Sequence, residues 1–313
     1  MSTRSSREIG HLFTIYSANL SMHTTDFPDA FVCPICFRVF HRSAIQSKPM
    51  QLDRAHIVPS AIGGRLKTLT CKACNSRQGH LMDRDLVARL RSQDKLAGKS
   101  EDSLRGKFIV GEGDVTADIY FSAEKGIRIN SLPDLSDPAL SKIVQDGIDS
   151  GATKFSIKGN LGYKDVPSRV AILGSAYLMM FLYFGYGYIK YDIVKPIRQQ
   201  LLDPNTETDV LKGIVKLKSR PFEMDGVSVI QEPENLRCFM VVLGFSTKIQ
   251  RFLGVIFPGF DPDSETIYDR WRSIGEDALR GMESRATFIP RNPEFILNPR
   301  AKEVCRAFWK YAR

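Results

Sequence analysis

Six cysteines occur in this 313-residue chain, and four of them form two C-x2-C pairs, Cys33-Pro-Ile-Cys36 and Cys71-Lys-Ala-Cys74. Each C-x2-C turn aims two thiolates at one point. Two such turns, 34 residues apart, predict a single tetrahedral S4 site, the preferred setting of a structural Zn2+. A redox motif needs only one pair, and six cysteines in a chain of this length are too few for a disulfide scaffold. His41, five residues after Cys36, could replace one thiolate. All five histidines, His11, His23, His41, His56 and His80, lie in the first third of the chain. Histidine is the usual general base near neutral pH, so any chemistry is expected there.

Between the cysteine pairs stands Leu52-Asp53-Arg54-Ala55-His56-Ile57-Val58-Pro59, then the Gly63-Gly64 turn, and Asn75 follows the last cysteine directly. In that order, C-x2-C, A-H-I-x-P, Gly-Gly and C-x2-C-Asn, these residues resemble the HNH or ββα-metal endonucleases. The match is to the zinc-knuckle subtype seen in phage resolvases of the endonuclease VII type and in several restriction enzymes. The resemblance covers roughly residues 31–90. It implies metal-dependent hydrolysis of phosphodiester bonds, with DNA the favoured substrate and RNA left open, leaving a 5′ phosphate, with a role in restriction or phage defence. It also implies His56 as general base and a catalytic Mg2+ or Mn2+ held by Asn75.

Physical chemistry asks for the same parts. Phosphodiester hydrolysis needs an activated water, neutralised phosphate charge and a stabilised leaving oxygen. A near-neutral histidine and one divalent ion can supply them. The chain departs from the family at Ala55, where an acidic or histidine metal ligand is usual. Asp53 lies on the same face of an extended strand and is expected to supply the missing ligand. Asp83 comes next, about two helical turns after Asn75. His80 is the remaining candidate, although its five-residue offset turns it some 140° around an ideal helix. The alternative reading is an HNH-fold nucleic-acid-binding module weakened in catalysis by Ala55.

Charge agrees with an acidic partner. The formal net charge is +9, and residues 1–106 hold 16 Lys+Arg against 9 Asp+Glu, while residues 107–313 hold 28 against 26. Arg54, Arg65, Lys67 and Arg77 flank the expected site and are read as nucleic-acid contacts, which position a duplex without reading its sequence.

These residues need elements to hold them, and the expected fold class is α+β. A leader at 1–30 precedes a zinc-stapled HNH nuclease-like domain at 31–95, a linker at 96–106 and a larger mixed α+β domain at 107–313. That last domain is assigned recognition, dimerisation or regulation. Within it, Lys107–Val110, Val115–Phe121 and Gly126–Ile129 read as a β-meander, Pro138–Ser150 and Pro299–Tyr311 as helices, and Arg237–Phe245 and Arg251–Phe257 as strands. Val170–Ile189 has no charged residue and is long enough to be a membrane-span candidate. Its three glycines and four tyrosines favour a buried core helix ending near Phe184. Met1–Gly10 has no apolar run of the secretory kind. A cytoplasmic protein without stable membrane association is expected, and a homodimer is left open.

Overall fold

A computed structural model of the chain describes residues 3–47, 50–217, 225–260, 266–271, 285–289 and 296–298, with Ser273 and Glu303 besides. In chain order the elements are α1 (Thr3–Ser21), β1 (Ala30–Val32), β2 (Val39–His41), β3 (Leu52–His56), β4 (Lys67–Cys71), α2 (Lys72–Gln78) and α3 (Arg84–Leu96). There follow β5 (Leu104–Val110), β6 (Gly113–Ser122), β7 (Gly126–Ser131), α4 (Pro138–Asp149), β8 (Ser156–Gly159), α5 (Asp165–Phe184), α6 (Tyr186–Ile189) and α7 (Lys195–Leu202). The last strands are β9 (Ile214–Leu217), β10 (Gly226–Glu232), β11 (Cys238–Ser246), β12 (Gln250–Phe257) and β13 (Arg285–Ile289). The helix expected at Pro299–Tyr311 lies, Glu303 apart, outside the described residues, as does Cys305.

The chain forms two compact units. One holds residues 1–84, 166–245 and 251–313, and the other holds residues 85–165 and 246–250. The second unit is a four-stranded antiparallel sheet, ordered β7-β6-β5-β8. Val144 of α4 packs with Phe108, Val110 and Val115 of that sheet. The meander is thus present where alternation predicts it, and α4 begins at Pro138 behind an Asp137 cap that accepts from the Ala139 N–H.

The first unit is built around α5. From Pro167 to Phe184 nearly every residue of this helix is buried, so its uniform apolarity is that of a core helix. It ends at Phe184 because Gly185 adopts a φ of 55°, and a Cβ there would meet Asn19 Oδ1 at 2.2 Å. Phe184 packs on Phe239 of the five-stranded sheet β13-β10-β11-β12-β9, with ring centroids 5.2 Å apart. Toward its other neighbours, Phe181 stacks on Tyr16 of α1 at 4.3 Å.

Two differences from the sequence reading stand out. Residues 3–21 are a helix, not a weakly structured leader, and Ile9, Phe13, Tyr16 and Leu20 form its buried stripe. Residues 107–313 do not make one domain, because the segment through Asp165 clusters with residues 85–106, whereas α5 and the larger sheet cluster with the cysteine pairs. The tyrosines of α5 and α6 explain that grouping. Tyr177 Oη donates to the Pro34 carbonyl at 2.7 Å, and Tyr186 Oη bonds both the N–H and the carbonyl of Val32. Tyr177, Tyr183, Tyr186 and Tyr188 are core residues, unavailable for stacking on bases.

Candidate active site and metal centre

The first cysteine pair sits in the turn of the β1–β2 hairpin. Ala30, Phe31 and Val32 pair with His41, Phe40 and Val39, and the Cys33 N–H bonds the Arg38 carbonyl at 2.9 Å. Phe37 closes the turn at a φ of 57°, a left-handed conformation costly for a bulky side chain. Arg198 lies 3.6 Å from the Phe37 ring centroid. The second pair spans the end of β4 and the first turn of α2, where Cys71 Sγ caps the helix by accepting the Cys74 N–H.

All four sulfur atoms lie within 4.8 Å of one another, and Cys36 Sγ and Cys71 Sγ are 3.8 Å apart. A tetrahedral ion with bonds of about 2.3 Å to sulfur needs edges of roughly 3.8 Å. The four cysteines therefore fit a structural zinc. Hydrogen bonding among the four sulfurs draws Cys36 and Cys71 down and pushes Cys33 and Cys74 up, so the cluster shares its protons, and a bound metal would displace them. His41 is exposed at the end of β2 and is not a member of this cluster.

Strands β3 and β4 form the hairpin that presents the candidate chemistry. Their antiparallel register pairs Asp53 with Thr70, Ala55 with Thr68 and His56 with Lys67. The connection back to β4 is pinned by the Ile57 N–H bonding the Leu66 carbonyl at 2.9 Å. Gly63 takes a φ of 94°, and at Gly64 a Cβ would sit 1.7 Å from the Val58 carbonyl oxygen. No other residue fits at Gly64, which is why the Gly-Gly turn follows His56 so closely.

Asp53 and Asn75 are brought together across this hairpin and α2. Asn75 Nδ2 donates to Asp53 Oδ2 at 2.8 Å, and Asp53 Oδ1 accepts the Arg54 N–H at 2.8 Å. His56 is half-buried at the end of β3. Burial lowers its pKa below 6.5, the positive charges of Lys67 and Arg54 lower it further, and only Asp53 opposes them. The imidazole is thus held neutral near pH 7 with a free lone pair. Ala55 is fully buried. Its cross-strand partner Thr68 shares a 2.5 Å hydrogen bond with the buried Tyr16 hydroxyl of α1.

The other candidates fall elsewhere. Asp83 closes the π-helical turn Gly79–Asp83 between α2 and α3. Burial pushes its carboxyl up to about 7, opposed by a hydrogen bond to Gln78, and Oδ1 has no partner among the described residues. Gln78 lies toward Gly174 of α5, so Asp83 is tied to that side of the helix. His80 is exposed on the same π turn. Of the four basic residues, Arg54 forms an ion pair with Glu8 of α1, and Arg77 donates to the Leu202 carbonyl of α7. Arg65 is exposed and Lys67 half-buried, and neither forms an ion pair among the described residues. Glu8 and Tyr16 escape a motif search because they sit in α1, yet the spacing of Ile9, Phe13, Tyr16 and Leu20 marks that helix.

This geometry bears a family signature. Residues 44–91 match the HNH endonuclease family model. The matched segment contains β3, β4, α2, the second cysteine pair, His56 and Asn75. Neither the comparison with curated proteins nor that with solved structures returned a match. An HNH endonuclease domain suggests nuclease activity and implies a nucleic acid substrate, and nucleases of this family usually use a divalent metal.

Proposed function

We propose that this protein is a divalent-metal-dependent endonuclease that hydrolyses phosphodiester bonds of DNA. His56 is the general base, and Asp53 and Asn75 hold the catalytic Mg2+ or Mn2+. The observation that carries this reading is the Asp53–Asn75 contact within a domain matching the HNH model. The carboxylate at 53 meets the asparagine that follows the second knuckle, so a ligand set persists despite Ala55.

The donor set suits the ion. Asp53 offers carboxylate oxygen, and a half turn of the Asn75 amide exchanges Nδ2 for Oδ1, giving the hard oxygen ligands that Mg2+ and Mn2+ prefer. When bound, such an ion supplies Lewis acidity at the phosphate and the leaving oxygen. The protein's own residues do the rest. The neutral His56 ring accepts a proton from the attacking water. Lys67, beside His56 in the hairpin register, and the exposed Arg65 bind the phosphate backbone. Arg54 and Arg77 serve chiefly within the protein through Glu8 and the Leu202 carbonyl. A zinc held by the four cysteines would fix the hairpin against α2, so that His56, Asp53 and Asn75 keep their spacing.

A supercoiled-plasmid nicking assay tests the reading. Mg2+ or Mn2+ is expected to support conversion to open-circular DNA and EDTA to stop it. Equal conversion in EDTA, or none with either metal, would contradict it.

A further inference from the structure

Thr68 and Thr70 share one face of β4, and both are fully buried. Their hydroxyls have different fates. Thr68 Oγ1 bonds Tyr16, whereas Thr70 Oγ1 has no hydrogen-bond partner among the described residues. A buried hydroxyl without a partner is costly, and valine would fill the same volume without that cost. The position of Thr70 suggests what meets its hydroxyl. In the hairpin register it stands directly opposite Asp53, where paired side chains emerge on the same face with Cβ atoms about 5 Å apart. Asp53 in turn bonds Asn75.

We infer that Thr70 Oγ1 is a third oxygen of the divalent-cation site, forming its floor beneath Asp53 and Asn75 and contacting the ion or a water bound to it. The inference rests on the metal site proposed above and adds a residue to it. A neutral hydroxyl fits there because Asp53 already supplies the site's negative charge, while Mg2+ and Mn2+ accept neutral oxygen ligands readily. It also explains why the strand tolerates a partnerless hydroxyl in its core, since the partner is the hydrated ion.

The test uses the zinc-loaded full chain and Mn2+ alone, without DNA. Mn2+ binding is followed by isothermal titration and by the metal-induced rise in melting temperature. Thr70→Val, which removes the hydroxyl and keeps the shape, is expected to weaken Mn2+ binding about tenfold, the scale on which supporting oxygens act. The same zinc-loaded variant should melt higher than wild type when no Mn2+ is added, because the unsatisfied hydroxyl is gone. Thr70→Ser should restore most of the Mn2+ affinity. Wild-type affinity in Thr70→Val, with Asp53→Ala weakened, would overturn this inference and leave the site intact. If wild type and Asp53→Ala bind Mn2+ alike, the metal site itself fails and Thr70 with it.

Discussion

At the scale of single residues, the site depends on which groups can carry charge. His56 is desolvated and stands beside Lys67 and Arg54, so it resists protonation. The acid limb of the kcat/KM profile, which reports the free enzyme's base, should therefore fall below pH 6.5, with activity undiminished from there to neutrality. A limb above 6.5 would mean that another group sets the protonation state. The four-cysteine cluster and the hairpin end were legible in the sequence because their spacing alone brings the residues together. Two sulfurs per turn need C-x2-C, and the close return after His56 needs Gly64. What spacing could not show was occupancy. Arg54 and Arg77 look like phosphate contacts when counted along the chain, yet Glu8 and the Leu202 carbonyl engage them in the folded protein. Ala55 reads as an empty ligand position that would favour a merely binding module, and spacing could not show that Asp53, two residues earlier, meets Asn75.

At the scale of elements, the π turn Gly79–Asp83 was not legible, because one inserted residue in a helix leaves no mark in a periodic pattern. Its consequence is physical. Asp83 lies where burial raises its pKa from 3.8 to about 7, so the folded chain holds this proton more tightly than the unfolded one. The resulting stabilisation is full below pH 3.8, declines as the pH rises and is lost above about 7, where a buried carboxylate opposes folding. Asp83→Asn should therefore raise stability relative to wild type by more at pH 8 than at pH 5. The difference between the two conditions should exceed about 1 kcal/mol, as read from thermal or urea melts. The same gain at both pH values would show that Asp83 ionises freely. Helix α1, by contrast, was present in the pattern and masked by its polar composition. Ile9, Phe13, Tyr16 and Leu20 recur with the helical period, but Ser and Thr between them weaken the local signal that tertiary burial then overrides.

At the scale of the whole molecule, the cysteine-rich segment does not stand apart. Tyr177 and Tyr186 reach from α5 and α6 to the backbone of Pro34 and Val32, and Tyr16 joins Phe181 to Thr68 of the hairpin. A segment of some sixty residues has little core of its own, and here the long apolar helix supplies one. Sequence order hides that arrangement because α5 and α6 lie more than a hundred positions from Tyr16, Val32 and Pro34, which they touch. The smaller unit's meander was legible because each strand's partner is its neighbour in the chain. The central claim is that this assembly exists to present His56 to a phosphodiester. The most direct test is single-turnover DNA cleavage by His56→Ala in saturating Mn2+, with DNA affinity measured in parallel. Cleavage is expected to slow by about 10²-fold or more while DNA affinity and melting temperature stay near wild type. Cleavage at the wild-type rate would contradict the account.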